Sequence, residues 1–259
     1  LELSSLLKAM KTVKYKRISW KGSSETDPEL EVVSLKDNLK WLTLESPHLF
    51  IRKHYKALWK EIKKCYDARL GNNVFRRVLI RGTPGIGKTA ALNYFLLEAM
   101  TENIPVLFET RTDRYYFHGD TAEVENIKTD TRLINYWYDS NVLLLHDHQP
   151  GQEPPLIDRM GAFVVAPISP DSKCYNEFIK HNCQYFWMPL TTMNEIIAMN
   201  SVDQRLPLSD LKNRIGIYGP IPRLVFSLNQ ARTMRTLQIK MGSFDVGPNF
   251  KRMIASGEL

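Results

Sequence analysis

The sequence predicts an α/β fold in which a parallel sheet of five strands is sandwiched by helices, with a small N-terminal extension and a C-terminal helical segment. Five short apolar runs alternate with stretches of helical periodicity, which is typical of a parallel sheet with right-handed crossovers. A glycine-rich loop joins the first run to a helix. The chain has 259 residues, 43% of them hydrophobic, which is enough for one or two such domains.

The glycine-rich loop, residues 82–89, follows the apolar run 78–80 and fits the phosphate-binding pattern G-x-x-x-x-G-K-[ST]. Its glycines allow left-handed backbone angles, so that successive N–H groups form an anion nest at the helix N-terminus. We expect Lys88 to contact the β- and γ-phosphates and the Thr89 hydroxyl to bind Mg²⁺. The alternative is a chance glycine-rich turn, which both flanks disfavour. The predicted nucleotide-binding residues are Gly82, Thr83, Pro84, Gly85, Ile86, Gly87, Lys88, Thr89 and Ala90.

The N-terminal extension is predicted over residues 1–47, with a hairpin formed by the runs 14–20 and 30–35. A long helix from about His48 to Leu70 is expected to lead into the NTPase core, residues 48–200. The other core strands are predicted at 104–110, 141–147, 161–169 and 183–190, with a short hairpin partner at 115–118, one helix within 120–140 and one at 171–181. A capping box at Thr192 and Glu195 opens a further helix, and a helical segment spans 201–259.

The third apolar run of the core ends at Asp147, which is predicted to be the Walker B carboxylate that holds Mg²⁺ opposite Thr89. The alternative is a strand-end Asp that caps the next turn. We expect the fourth strand to lie between the loop strand and this strand. Enzymes with that order usually carry Glu after the Asp, whereas His148 stands here, which puts efficient hydrolysis in question. ATP is favoured over GTP because no N-K-x-D motif follows the loop.

Three further polar residues are candidates for the same site. Glu109, at the end of the second strand, is either a catalytic base or an ordinary exposed strand-end residue. Ser169 ends the fourth strand and is expected to face the γ-phosphate. Arg223 follows Gly-Pro-Ile-Pro and is either a sensor of the bound nucleotide or a surface arginine at a helix start. The predicted catalytic set is therefore Lys88, Asp147, Glu109 and Arg223, with Thr89 and Asp147 as metal ligands.

Positive charge is concentrated near the N-terminus. Residues 1–70 carry 15 Lys/Arg and 9 Asp/Glu, a net charge of +6 out of +7 for the whole chain. This basic leader either binds nucleic acid or acts as a nuclear address, or it is a solvated face. Its clustered basic residues are Lys8, Lys11, Lys14, Lys16, Arg17 and Lys21.

The cysteines and the length of the apolar runs indicate the kind of compartment in which the chain works. Cys65, Cys174 and Cys183 show neither C-x-x-C nor zinc spacing, so we expect buried or free thiols in a reducing compartment. No apolar run reaches the length of about 18 residues that a transmembrane helix needs. The chain begins at Leu1, which indicates a fragment.

Several segments together resemble the P-loop NTPase domain of Crinkler effectors and of retrotransposon hot spot proteins. They are Ile51–Tyr55, Arg81–Thr89, Tyr115–Phe117, Leu144–Asp147, Ile168–Pro170, Met188–Leu190 and Gly219–Arg223. The family usually has Ser at the position of Thr89 and often Asp-Gly where this chain has Asp147-His148. The resemblance implies a secreted protein delivered into a host cell, often into the nucleus, with the NTPase joined to a nuclease-like module. No complete nuclease signature stands in this sequence.

Three function hypotheses remain open. The first is a Mg²⁺-dependent ATP-hydrolysing domain of a Crinkler-type effector. The second is a nucleotide-gated module with negligible turnover that recruits nucleic acid or a host protein, alone or as a homo- or hetero-oligomer. The third, a P-loop kinase acting on a small molecule, is weaker because the chain lacks an Arg-rich lid.

Overall fold

The computed structural model describes residues 2–12, 16–18, 30–36, 39–44, 46–71, 76–121, 123–127, 132–147, 161–168, 183–203 and 206–227. Ser169, His148, Cys174, the predicted helix at 171–181 and the segment after 227 lie outside these residues. In the described part no helix is long and apolar enough to cross a membrane.

Within the described residues, a mixed sheet of seven strands forms the centre of the molecule. Its strands are β4 (Arg77–Arg81), β5 (Val106–Glu109), β6 (Arg114–Phe117), β7 (Val124–Asn126), β8 (Leu143–His146), β9 (Phe163–Ile168) and β10 (Cys183–Trp187). Their order is β10-β4-β9-β8-β5-β6-β7. The five strands β10, β4, β9, β8 and β5 run parallel, while β6 and β7 are antiparallel additions at one edge. The sheet is therefore larger than the predicted five strands.

The strand order agrees with one specific expectation from the sequence. The fourth parallel strand, β9, pairs with β4 on one side and with β8 on the other. It thus separates the strand before the glycine-rich loop from the strand before Asp147. The expected hairpin partner at 115–118 is β6, paired with β5. Strand β7 lies within the stretch 120–140, for which only a helix was predicted.

Helices cover both faces of the central sheet. On one face, α3 (Lys88–Thr101) packs against the strands, and α1 (Glu2–Thr12) and α2 (Lys53–Ala68) pack on α3. Helix α3 is apolar almost all round because it is covered on nearly every side. The other face packs against α4 (Arg132–Tyr138) through residues that include Leu107, Leu144 and Leu133.

The N-terminal region differs from its prediction at two places. The expected hairpin forms, with β1 (Lys16–Ile18) antiparallel to β2 (Leu30–Ser34), but β3 (His48–Ile51) adds a third strand to it. Residues 48–51 are thus extended rather than helical, because their alternate side chains are buried and their backbone pairs with β2. The predicted boundary at residue 47 divides this small sheet, and α1 was not predicted.

The C-terminal part of the described chain is helical, as the sequence predicts. It contains α5 (Met193–Asp203), α6 (Leu208–Tyr218) and the single turn α7 (Pro222–Val225). The predicted capping box opens α5: the Glu195 amide donates to Thr192 Oγ1 at 3.1 Å, and the Thr192 amide donates to Glu195 Oε2 at 2.8 Å. The turn α7 brings this segment back to the glycine-rich loop.

Candidate functional site

The glycine-rich loop connects the carboxyl end of β4 to the first turn of α3. Gly85 and Gly87 have φ of 87° and 98°, in the left-handed region that favours glycine. Gly82 is required for a different reason, since a Cβ there would lie 2.8 Å from Ile86 Cδ1 and 2.9 Å from the Met188 carbonyl oxygen. The loop therefore has a fixed, tight path at the N-terminus of a 14-residue helix.

Two side chains near the start of α2 donate hydrogen bonds to carbonyl oxygens of the loop. The Tyr55 hydroxyl donates to the Gly87 carbonyl oxygen at 2.8 Å, and burial raises the pKa of Tyr55. The Arg52 guanidinium, 1% exposed, donates to the carbonyl oxygens of Ile86 at 3.3 Å and Leu190 at 2.8 Å. It also pairs with Glu195 Oε1 at 3.0 Å. The capping-box glutamate of α5 is thereby tied, through one arginine, to the loop.

Lys88 and Arg223 place two positive charges at the loop. Lys88 Nζ donates to the carbonyl oxygens of Gly82 at 2.6 Å and Thr83 at 3.0 Å. Burial, followed by the positive charge of Arg223, lowers the pKa of Lys88 to about 8. The Arg223 amide lies 3.4 Å from the Gly85 carbonyl oxygen, and its side chain is exposed. Two neighbouring cations of this kind favour an anion between them.

Asp147 lies immediately after β8 and meets the first turn of α3. The Thr89 hydroxyl donates to Asp147 Oδ1 at 2.9 Å, and the carboxylate is buried. Both are hard oxygen ligands, and adjacent ligands of an octahedral Mg²⁺ with bonds of about 2.0–2.1 Å lie at nearly this spacing. The pair therefore fits Mg²⁺. No group of three or more His, Cys, Asp or Glu residues suited to a metal occurs within the described ranges.

Glu109 is not the exposed strand-end residue that one interpretation predicted, since it is 3% exposed. Its Oε1 accepts from Arg114 Nε at 3.1 Å and Trp137 Nε1 at 3.2 Å, and its Oε2 lies 2.9 Å from His146 Nδ1. Burial acts to raise the pKa of Glu109, but His146, Arg114 and Trp137 together outweigh it and lower this pKa. An ionised carboxylate only accepts, so His146 Nδ1 carries the shared hydrogen.

The structure thus brings together some predicted site residues and separates another. Lys88, Thr89, Asp147 and Arg223 converge on the loop, whereas the Glu109 carboxylate binds partners on β6, β8 and α4. The sequence did not indicate roles for Arg52 and Tyr55 at the loop. The predicted helix from His48 placed both residues inside a helix, and only the segment Ile51–Tyr55 of the family resemblance singled them out.

Comparison with known proteins gives a distant relationship. No family model matches the chain. Crinkler effector protein 15 and Crinkler effector protein 16 of Phytophthora infestans are each 25% identical to it over 179 residues. The match covers 68% of this chain and 28% of each relative, so the chain spans well under a third of the relatives' length. This similarity supports a Crinkler-like relationship.

Among solved structures, a cryo-EM reconstruction of the closed state of Hsp104 with ATPγS and FITC casein matches the chain. The match covers 64% of this chain and 35% of that chain, at 14% identity and a TM-score of 0.36.

Proposed function

We propose that this chain contains the Mg²⁺-dependent ATP-binding and ATP-hydrolysing domain of a Crinkler-type effector, with a P-loop NTPase site at the glycine-rich loop. The observation that carries the proposal is the hydrogen bond of 2.9 Å from Thr89 Oγ1 to Asp147 Oδ1. It lies at the end of the glycine-rich loop, next to Lys88 in the chain. A hydroxyl and a carboxylate meet where the loop's helix starts, and the buried Lys88 directly precedes Thr89 in the chain. This combination suits a nucleoside triphosphate with its metal ion.

Each residue has a distinct part in the proposed reaction. The backbone N–H groups of the glycine-rich loop bind the phosphates. Lys88 exchanges its two carbonyl partners for phosphate oxygens. Thr89 and Asp147 hold Mg²⁺, which when bound neutralises charge that develops on the phosphates. Arg223 stabilises the same charge. Ser169, outside the described residues, is proposed to face the γ-phosphate.

The environment of Glu109 favours a second candidate function. A general base must accept a proton from water, and a carboxylate with three donors and a lowered pKa is a weak base. His148 also stands where a catalytic Glu is common. The second candidate is therefore a nucleotide-gated module, in which ATP fixes a conformation that recruits nucleic acid or a host protein and turnover is negligible.

Partners and location follow from the relatives and from charge. The similar proteins are named as effectors, and the family resemblance implies secretion and delivery into a host cell. We propose the same for this chain, with the host nucleus as its site. The basic leader, with +6 of the +7 net charge before residue 71, is the proposed nucleic-acid contact.

The experiment is calorimetric titration with Mg-ATP, together with phosphate release, on the parent and on Lys88→Ala. The variant loses a charge-assisted contact, so its ATP affinity should fall by roughly tenfold or more. Lys60→Ala, which removes the same charge from an exposed position of α2, is the matched control and should bind as the parent does. The parent's affinity should also decline above pH 8, because Lys88 then loses its proton in the free protein.

The outcomes separate the two candidates. Equal affinity of the folded Lys88→Ala variant and the parent would reject the phosphate site. Tight, Lys88-dependent binding without phosphate release, in the presence and absence of DNA or RNA, would favour the nucleotide-gated module.

A further inference from the structure

A cavity of about 340 Å³ opens directly beside the glycine-rich loop. Gly85 and Gly87 belong both to the loop and to the cavity wall. The rest of the wall comes from residues 44 and 46, β3, α5, the segment around α7, Tyr55 of α2 and Ala90 of α3. Its volume lies within the range of about 300–1,000 Å³ that is usual for small-molecule sites. A ligand with phosphates on the loop would therefore extend into this cavity.

One side of the cavity is apolar and suits a planar ring. Phe50 comes from β3, Met199 from α5 and Phe226 from the residue after α7. The two phenylalanines pack against the cluster that contains Met199. Aromatic rings and a thioether accept the face or edge of a flat heterocycle, and three separate elements supply them here.

The cavity wall also carries a polar pair. His48 Nε2 on β3 and Asp203 Oδ1 at the end of α5 lie 3.7 Å apart, with side chains 29% and 11% exposed. This separation exceeds a hydrogen bond. The other ring nitrogen of His48 is oriented by Ser34 Oγ at 2.7 Å. A sugar hydroxyl between the two groups could contact both, since a hydroxyl donates and accepts.

We propose that this cavity binds the nucleoside half of a ribonucleoside triphosphate, with the base against Phe50, Met199 and Phe226 and the ribose hydroxyls at His48 and Asp203. The inference rests on the proposed phosphate site and adds that the ligand bound there is selected by its base and ribose. It also gives the small N-terminal sheet a role in binding, because β3 supplies one wall of the site.

The test compares ATP with inorganic tripolyphosphate, which has the phosphates alone, by calorimetry in the presence of Mg²⁺. Met199→Trp fills the cavity, so ATP affinity should fall by roughly tenfold while tripolyphosphate affinity stays at the parent's value. Met193→Trp, on an exposed position of the same helix, is the matched control and should change neither affinity. Asp203→Asn should reduce the parent's preference for ATP over 2′,3′-dideoxy-ATP by roughly fivefold.

Each outcome decides between the cavity and the loop. If tripolyphosphate binding depends on Lys88 but ATP affinity is unchanged in Met199→Trp, the cavity inference fails and the phosphate site stands. Equal binding of ATP and tripolyphosphate by the parent also overturns the inference. If neither ligand binds the parent, both proposals fail. Should Met199→Trp not fold, the Asp203→Asn comparison decides alone, and an unchanged preference for ATP overturns the inference.

Discussion

Asp147 and Glu109 stand at the carboxyl ends of the neighbouring parallel strands β8 and β5, and their surroundings are opposite. The Asp147 amide even donates to the Glu109 carbonyl oxygen at 2.9 Å. Yet the Asp147 side chain meets Thr89 on α3, whereas the Glu109 side chain meets His146, Arg114 and Trp137 toward the face that α4 covers.

The difference follows from the alternation of side chains along a strand. Leu145 packs in the cluster that includes α3, and Leu144 packs in the cluster that includes Leu133 of α4. Side chains two positions apart lie on the same face of a strand. Asp147 therefore shares the α3 face with Leu145, and His146 shares the α4 face with Leu144. Position at a strand end therefore does not by itself make a carboxylate catalytic. Whether a carboxylate can bind a ligand depends on the face of the sheet that it occupies. It also depends on how many hydrogen-bond donors the carboxylate already has.

The largest effect that tests this comparison is expected from Asp147→Asn. An amide oxygen is a weak Mg²⁺ ligand, so turnover should fall on the order of 100-fold and the Mg²⁺-dependent part of ATP affinity should disappear. Phosphate release and calorimetry with and without Mg²⁺ measure both. The same Mg²⁺ dependence in the variant and the parent would show that Asp147 is not the metal ligand.

Glu109→Gln should give the reverse result. The variant keeps the shape but loses the charge that three donors bind, so the free energy of unfolding should fall by about 1–3 kcal/mol. Turnover, measured below the variant's unfolding range, should stay within a few-fold of the parent's. Chemical denaturation and phosphate release provide the two readouts. A loss of turnover comparable to that of Asp147→Asn, with stability preserved, would instead identify Glu109 as the base.

The part of this site that the sequence predicted is the part encoded locally. The glycine pattern, the apolar run before Asp147 and the capping box at Thr192 and Glu195 each lie within a dozen residues. They were predicted together with the position of β9 between β4 and β8. The first three features depend on backbone angles and periodicity, which short segments determine, whereas the position of β9 was inferred from the order of the strands along the chain.

The rest depends on contacts between distant segments. Residues 48–51 have an apolar pattern that continues into α2, and only pairing with β2 makes them a strand. Arg52 reaches Glu195, 143 positions away in the chain, and Glu109 finds its indole donor on α4. No local pattern reports such pairings, so the supports of the loop and the burial of Glu109 became visible only in the folded chain.

The smallest effect is expected in the pH dependence of stability. The pKa of Glu109 is lowered in the folded protein, so the unfolded chain binds a proton at higher pH than the folded chain does. The stabilisation by this carboxylate is therefore complete above the unfolded pKa of about 4.3 and is lost as the pH falls through the folded value. The difference in unfolding free energy between the parent and Glu109→Gln should therefore shrink as the pH falls below about 5. Urea titrations at several pH values measure this difference. A gap that persists unchanged at pH 3 would mean that Glu109 acts through shape alone, and its contrast with Asp147 would then not be one of charge.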